Sequence, residues 1–257
     1  MKGLLSGGAI IAALAVAVGA ASAADVSNEG ASRWNGSNIG LYGTFSAIDT
    51  EYSDPYNAHI GNRMNDENTN QFTGYGGGIR AGYNFINGSM LLGAEAYGEL
   101  QDAKGCVNTN EANENPTSCP YGHSVETEVS QSFGLNAKLG LATDTTVIYG
   151  LAGVNVSKVN STFNDWTFDD GEGGGNSVYD PEFDTIDTGS EYVVGWRVGG
   201  GAERAISEDI SLFAQATYTR LNTELETPNL DGMEDDPSRL DTKLGIVAVN
   251  VGLNFKF

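Results

Sequence analysis

The sequence predicts an all-β fold, namely an eight-stranded antiparallel up-and-down transmembrane barrel with short periplasmic turns and long extracellular loops. Three observations predict it. Eight segments alternate between apolar residues and small or polar ones, the connections between these segments are alternately short and long, and an export signal precedes them. Strands cross a bilayer only as a closed barrel, because hydrocarbon offers no partner to a free backbone N–H or C=O group.

The C-terminal stretch "VAVNVGLNFKF" (247–257) shows the alternation most clearly. Every odd position from Val247 to Phe257 is large and apolar, whereas the even positions are Ala, Asn, Gly, Asn and Lys. A period of two indicates a β-strand, whose successive side chains point to opposite faces. Seven further segments share the pattern, 148–157 least clearly: 38–47, 74–85, 90–100, 130–141, 148–157, 192–203 and 210–219.

The connections between these segments are of two kinds. Tight turns are predicted at Asn87-Gly88, at 143–145 and at 207–209, and Asn-Gly is a strong hairpin signal because such turns need positive φ angles. The other connections are long and polar: 50–71, 102–127, 159–190 and 223–242. Outer-membrane barrels have this regularity, with short turns on the periplasmic side and long loops outside.

The apolar face of the strands favours lipid over a protein core, which would instead make the chain a soluble periplasmic β-sandwich. This face is almost free of charge, as it must be near the bilayer midplane, where Lys or Arg costs about 2–4 kcal/mol. Aromatic residues toward the strand ends are expected to form interfacial belts. They are Phe85, Tyr192, Trp196, Tyr218, Phe255 and Phe257.

The opposite face carries Gly, Ser, Asn and Thr with a few charges of both signs. We expect these charges to form a network in the lumen: Arg80, Glu95, Glu99, Lys138, Arg197 and Glu203. A buried charge is costly unless it is paired and hydrogen-bonded. Because eight strands leave an interior just wide enough to be filled by side chains, we expect a filled lumen and little bulk diffusion.

The N-terminus predicts export. Met1-Lys2 is a short positive region, residues 4–18 are apolar, and Ala21-Ser22-Ala23 is a small-x-small cleavage pattern. We therefore expect a cleaved signal peptide over 1–23, an N-terminal periplasmic segment over 24–36 and the barrel over 37–257. No later run approaches the roughly 18 apolar residues of a membrane helix.

Charge and cysteine content restrict the partners and the compartment. A net charge of −21 argues against nucleic acid, whose phosphates are bound by Lys and Arg. Cys106 and Cys119 lie in one polar segment of an exported chain, which predicts a disulfide that staples the second loop. The alternative is a pair of free or metal-binding thiols with His123 as an additional ligand.

Three stretches carry a family resemblance: "WNGSNIGLYGTF" (34–45), "GYGGGIRAGYNF" (74–85) and "VGLNFKF" (251–257). They resemble the small OmpA/OmpX-like barrels, and in particular the "outer membrane protein beta-barrel domain" family of Gram-negative bacteria. The resemblance implies a location in the outer membrane and a role of Phe257 as the assembly signal read by the barrel-assembly machinery. An unusually acidic third loop and the loop cysteines depart from the family pattern, so no loop-borne function follows from it.

We expect a structural and surface-interaction role in the envelope, with outer-membrane lipid, lipopolysaccharide and an unidentified extracellular ligand as partners. A small low-conductance porin is one alternative and a lipid-modifying enzyme is another. An enzyme of that kind needs a base or nucleophile with an orienting acid. The two histidines, His59 and His123, lie in long loops, and no Gly-x-Ser-x-Gly stretch occurs. We therefore expect no catalytic residue and no cofactor.

The acidic loops permit two interpretations. The stretches "NDWTFDDGEGGG" (164–175) and "VYDPEFDTIDTGSE" (178–191) contain many carboxylates and no Lys or Arg. One interpretation is a solvated negative surface. The other is weak Ca²⁺ or Mg²⁺ binding by Asp169, Asp170 and Glu172, with the ion bridging to lipopolysaccharide phosphates. The spacing matches no EF-hand.

Overall fold

A closed antiparallel β-barrel of eight long strands forms the molecule in the computed structural model, which describes residues 30–53, 69–108, 124–165, 168–169, 178–179, 185–226 and 239–257. The barrel strands are β1 (Gly36–Ser53), β2 (Thr69–Asn87), β3 (Met90–Asn108), β4 (Ser124–Ala142), β5 (Thr146–Asp165), β8 (Thr185–Ala205), β9 (Ile210–Glu226) and β10 (Arg239–Lys256). Two short strands, β6 (Phe168–Asp169) and β7 (Val178–Tyr179), pair with each other. The predicted all-β barrel is confirmed.

Each barrel strand pairs with its neighbours in the chain, and β1 closes the circle against β10. The pairs Asn38–Lys256 and Ser53–Asp241 mark the two ends of this closing ladder, so the beginning of β1 and the C-terminal residue Phe257 lie at one end of the barrel. We call this end the turn end, because the three tight turns also lie there. The opposite end, from which the long connections leave, is the loop end.

Short turns connect the strands at the turn end, as predicted. The first differs by one residue from the prediction, because Asn87 still pairs with Met90 and the loop consists of Gly88 and Ser89. Gly88 has a φ of 61°, which a two-residue hairpin turn requires at its first position and which glycine adopts at little cost.

The described residues contain one helix, the 3₁₀ helix η1 (Gly30–Trp34). Within the described residues there is no helix with the length and apolar character needed to cross a membrane.

A belt of exposed apolar side chains surrounds the barrel. Leu41, Leu135 and Val194 have 58, 62 and 67% of their surface exposed, while their chain neighbours point inward. The alternation follows all eight strands and confirms the predicted two-faced pattern. The belt covers 39–47, 75–85, 90–100, 133–141, 148–156, 192–202, 212–218 and 247–255. Such stretches suit the roughly 9–11 residues of a transmembrane strand.

The predicted aromatic belt is present on this outer face. Tyr192, Trp196 and Phe255 are 56, 47 and 38% exposed. Near the loop-end edge of the belt the rings of Trp196 and Tyr218 lie 5.5 Å apart, and those of Phe133 and Tyr192 lie 6.1 Å apart. Paired aromatic rings at such an edge suit the boundary between hydrocarbon and headgroups.

The strands are longer than predicted, and the predicted loop bounds are wrong. β1 continues to Ser53, β3 to Asn108, β5 to Asp165 and β9 to Glu226. These extensions are polar on the outside, which suggested loops in the sequence. Antiparallel pairing nevertheless continues through them, because backbone hydrogen bonds do not depend on which medium the side chains face.

Beyond the belt the two faces of the strands exchange character. On β1, Glu51 is exposed and Ile48 is buried; on β3, Asp102 and Lys104 are exposed and Ala103 is buried. The buried residues form an apolar ring to which every barrel strand contributes: Ile48, Phe72, Ala103, Val129, Val159, Val193, Leu221, Leu244 and Ile246. Outside the lipid the barrel therefore has the apolar interior and polar exterior of a water-soluble protein.

Candidate functional site

The lumen is the candidate functional site, and four of its six predicted charges form one ion-pair network. Arg80 on β2 lies 3.3 Å from Glu95 on β3 and 3.3 Å from Glu203 on β8. Lys138 on β4 lies 3.2 Å from Glu95. All four residues are buried. With two cations and two carboxylates, the network leaves no net charge in the lumen.

Neutral side chains complete the shell around these charges. Asn254 donates to Glu203 Oε1 at 2.7 Å and accepts from Arg80 Nε at 2.8 Å. Asn136 donates to Glu95 Oε1 at 3.3 Å. The guanidinium of Arg80 lies over the ring of Phe213, with its Cζ 3.3 Å from the ring centroid. Arg80, Glu95 and Glu203 are thus held by hydrogen bonds to neutral side chains as well as by a counter-ion, which a buried ion pair needs.

Glu99 and Arg197, the other two predicted charges, are buried next to this network but are bound differently. Arg197 donates through Nη2 to Thr217 Oγ1 at 3.0 Å, and its guanidinium lies 4.2 Å from the centroid of the Tyr97 ring. Glu99 Oε2 and Arg197 Nε have no hydrogen-bond partner. The predicted network of six is therefore a four-residue cluster, and Glu99 and Arg197 are buried outside it.

Lumen glycines make room for the rings that fill the centre of the barrel. A Cβ on Gly78 would lie 2.5 Å from the ring of Tyr42, and one on Gly134 would lie 2.8 Å from the hydroxyl of Tyr97. The space between Tyr42, Tyr97 and Phe213 leaves no room for a water-sized molecule. Small residues on the inner face are therefore the complement of large rings on the facing strands.

Apolar layers close the lumen on both sides of the charges. At the loop end lies the ring that includes Ile48, Phe72 and Leu221, described above. At the turn end a second cluster is buried: Ala31, Trp34, Leu91, Ala142, Val147, Tyr149 and Leu151. Packed side chains thus cover the charged layer at each end, and a small pocket of about 20 Å³ at the turn end reaches Glu203 and Asn254.

The helix η1 belongs to the turn-end layer and ties the turns together. Trp34 donates to the carbonyl of Thr143 at 2.7 Å, and Arg33 donates to the carbonyl of Ser207 at 2.6 Å. The backbone N–H of Ile86 donates to Asn35 Oδ1 at 3.2 Å, and Lys256 Nζ donates to the carbonyl of Arg33. This part of the predicted periplasmic segment 24–36 therefore closes the mouth of the barrel.

Most of the remaining predicted site residues lie outside the described part of the chain. Cys106 lies on β3 and Asp169 on β6, whereas His59, Cys119, Asp170, Glu172 and His123 lie outside the described residues. In the described part of the chain no three His, Cys, Asp or Glu residues are placed to hold a metal ion. The disulfide and the weak cation site stay predictions. Phe257 lies at the turn end with 80% of its surface exposed.

The two apolar layers were not predicted from the sequence. The signal for the loop-end ring is present, because Ile48 continues the inward phase of Thr44 and Ser46 along β1. That phase becomes visible only when the alternation is followed beyond the belt, where the inward residues are apolar. Nothing in the local pattern around Trp34 indicates that its ring enters the barrel.

Comparison with known proteins gives a family match and relatives. The family model described as "Outer membrane protein beta-barrel domain" matches residues 10–257. The "31 kDa outer-membrane immunogenic protein" of Brucella melitensis is 29% identical over 187 residues, which are 72% of this chain and 67% of that protein.

Solved structures similar to this chain include the outer membrane protein OprG of Pseudomonas aeruginosa, with a TM-score of 0.44 at 10% identity over 87% of this chain and 96% of OprG. The outer membrane protease OmpT of Escherichia coli gives a TM-score of 0.42 at 12% identity over 87% of this chain and 97% of OmpT.

Proposed function

Since this chain belongs to the outer membrane protein beta-barrel domain family and is an outer-membrane barrel, we propose that it acts as a closed structural and surface-interaction protein of the envelope rather than as a pore. The observation that carries the proposal is the filled lumen. A neutral ion-pair network around Arg80 and Glu95 lies between two apolar layers.

The energetics of the charged layer support a closed state. A conducting path along the barrel axis would have to separate Arg80 from Glu95 or Glu203 and move the ring of Phe213. Breaking a buried ion pair costs about 3–5 kcal/mol when it leaves a charge unpaired. Opening would also have to displace both apolar layers, so an open state is strongly disfavoured.

The exterior supports the surface role. The strands continue beyond the lipid belt as a barrel with polar outer positions such as Glu51, Lys104 and Lys243. This extension holds the ends of the four long loops on a framework of paired strands. Lipopolysaccharide is the partner that we propose for the level of the aromatic belt, and the barrel-assembly machinery is the partner that we propose for Phe257.

Liposome swelling tests the closed state against the low-conductance porin alternative. Vesicles containing the purified barrel should swell in a small sugar at the rate of protein-free vesicles. The double substitution Tyr42→Ala and Phe213→Ala removes two rings that lie 6.2 Å apart in the centre of the lumen but leaves both apolar layers in place, so its vesicles should also swell no faster than protein-free ones. If wild-type vesicles swell faster than protein-free vesicles, the proposal is wrong and the porin alternative is favoured.

We also propose that the barrel is not an enzyme. Its buried carboxylates Glu95 and Glu203 accept from Arg80, Lys138 and neighbouring donors, which leaves them poorly suited to move protons. The lipid-modifying alternative depends on His59 or His123. Replacing both by Ala should leave the mass profile of lipid A unchanged, whereas a changed profile would support catalysis.

A further inference from the structure

We propose that the free edge of β8 beyond the lipid belt is a docking site for an extended, basic peptide segment of an extracellular partner, which pairs with it as an additional strand. The inference deepens the proposed surface role and rests on it. The site consists of β8 from Thr185 to Glu191, which precede the belt on this strand, and the facing end of β9 from Asn222 to Glu226.

The pairing register shows that the barrel wall separates here. The ladder between β8 and β9 ends at Gly195–Leu221. Beyond that pair, β8 continues to pair with β5 as far as Thr185–Asp165, and β9 continues to pair with β10 as far as Glu226–Arg239. Each strand therefore keeps one partner and has a free edge toward the other.

Exposure of the β8 segment agrees with an open edge. Along the barrel strands burial alternates from one residue to the next, but Gly189, Ser190, Glu191 and Tyr192 are all exposed. The hydrogen bond from Thr223 Oγ1 to Glu191 Oε2, 2.8 Å long, crosses the gap through side chains. The backbone groups on that side of β8 have no strand of the barrel to pair with.

The ladder between β2 and β3 also stops early, but there a side chain fills the gap between the two strands. The pairing of β2 with β3 ends at Gly74–Ala103. There the ring of Phe72 occupies the place that a Cβ of Gly105 would take, and both residues are buried. No such side chain covers the edge of β8 at the described residues 189–192. The β8 edge is therefore the accessible one.

The chemistry of a free strand edge selects an extended peptide. Alternate residues of such an edge present an N–H and a C=O group away from the existing partner strand. Proteins use edges of this kind to bind an extended peptide as an added strand, with affinity from main-chain hydrogen bonds and specificity from side chains.

Charge selects a basic peptide and disfavours a second copy of this chain. The two edge segments carry Asp187, Glu191, Glu224 and Glu226 and contain no Lys or Arg. Two such edges would repel each other in a chain whose net charge is −21. An incoming strand with lysine or arginine would instead be attracted by the negative charge of these segments, of which Glu191 is exposed, and this attraction also speeds encounter between the partners.

Peptide binding to the full chain in nanodiscs tests the proposal. The probe is a fluorescent peptide of alternating Lys and Thr, because Thr favours extended backbone. One control peptide has Glu in place of Lys, and another has the Lys/Thr sequence with every second amide N-methylated. We expect anisotropy to rise with the Lys/Thr peptide and the N-methylated peptide to bind at least about tenfold more weakly, because several main-chain hydrogen bonds are lost.

Two variants locate the site. Glu191→Lys should lower the affinity for the Lys/Thr peptide by about threefold to tenfold, through loss of an exposed attraction and gain of a repulsion. Glu208→Lys makes the same charge change at the exposed β8–β9 turn, at the opposite end of the barrel, and should leave the affinity unchanged. Amide exchange of β8 between Gly189 and Glu191 should slow when the peptide is bound.

Three results would overturn the inference: no binding of the Lys/Thr peptide, equal binding of its N-methylated form, or equal effects of the two charge reversals. None of them concerns the lumen. A barrel that fails this test and does not swell in the liposome assay would retain the closed-lumen proposal and lose only the docking site.

Discussion

Among the described lumen carboxylates, Glu95 is the one that forms ion pairs with two cations. Its Oε2 lies 3.3 Å from Arg80 Nη1 and 3.2 Å from Lys138 Nζ, while Asn136 donates to Oε1. A carboxylate shared by two cations is stable in a low-dielectric interior only because the second carboxylate, Glu203, balances the charge. Removing Glu95 would leave two buried cations with one counter-ion.

Glu95→Ala is expected to lower the stability of the barrel by about 3–5 kcal/mol, the cost of breaking a buried pair from one side. The measurement is the urea dependence of unfolding in detergent micelles, followed by the gel shift between folded and unfolded barrel. Glu128→Ala is the matched control, because the Lys104–Glu128 pair is 3.6 Å long with both side chains partly exposed. It should cost no more than about 1 kcal/mol.

Equal effects of the two substitutions would contradict the account of the lumen charges.

Glu95 also illustrates what the sequence alone can predict about single residues. The alternation of side chains along each strand is enough to place Glu95, Arg80 and Glu203 in the lumen. The pairing of Arg80 with Glu203 joins strands that are not neighbours, so it depends on barrel closure and on the register of every ladder between them.

Along each strand the environment changes from lipid to water while the backbone continues unbroken. On β4, Leu135 and Gln131 both point outward and are exposed. Leu135 lies within the apolar belt and Gln131 lies just beyond it. The boundary on β4 coincides with a register shift between Val129 and Gln131, which resembles a β-bulge and preserves the inward direction of Val129.

The belt predicts a position-dependent cost for a buried charge. Leu135→Lys should destabilise the folded barrel by about 2–4 kcal/mol, because it places an ammonium group in hydrocarbon. Gln131→Lys, on the same face of the same strand, should change the stability by less than about 0.5 kcal/mol. Unfolding titrations in phospholipid vesicles measure both. If the two lysines cost the same, the belt has been assigned to the wrong part of β4.

The central part of each strand was predictable from sequence. Within the membrane the outward side chains are apolar and the inward ones are small or polar, so the alternation is regular. The extensions were not predicted, because at the belt edge the outside becomes polar and the inside apolar. Asp102 and Lys104 therefore suggested a loop, whereas Ala103 between them is fully buried in a continuing strand. The change of medium, not a loss of pairing, explains the difference.

The helix η1 is the element that closes the turn end, and Trp34 carries most of its packing. Trp34→Ala is expected to cost about 3–5 kcal/mol, the range for a buried aromatic ring replaced by Ala. The temperature at which the folded band disappears on gels without boiling measures it. Trp196→Ala is the control, because that ring lies on the lipid face and is 47% exposed. A larger loss for Trp196 would contradict the assigned role of the helix.

The whole molecule is an outer-membrane barrel whose interior has three layers along its axis. An apolar layer that includes Trp34 closes the turn end, a neutral charged layer fills the centre, and an apolar ring from all eight strands closes the loop end. Lipid surrounds the central part, and polar side chains surround the extension beyond it. This order leaves no continuous aqueous path through the described part of the barrel.

Single-channel recording in planar bilayers tests the closed lumen most directly. We predict that the wild-type barrel, inserted in a concentrated KCl solution, gives no current steps above the baseline of the bare bilayer. Recovery of the folded, faster-migrating band from the same membranes on gels without boiling shows that the barrel has inserted. Stable wild-type current steps above that baseline would contradict the account.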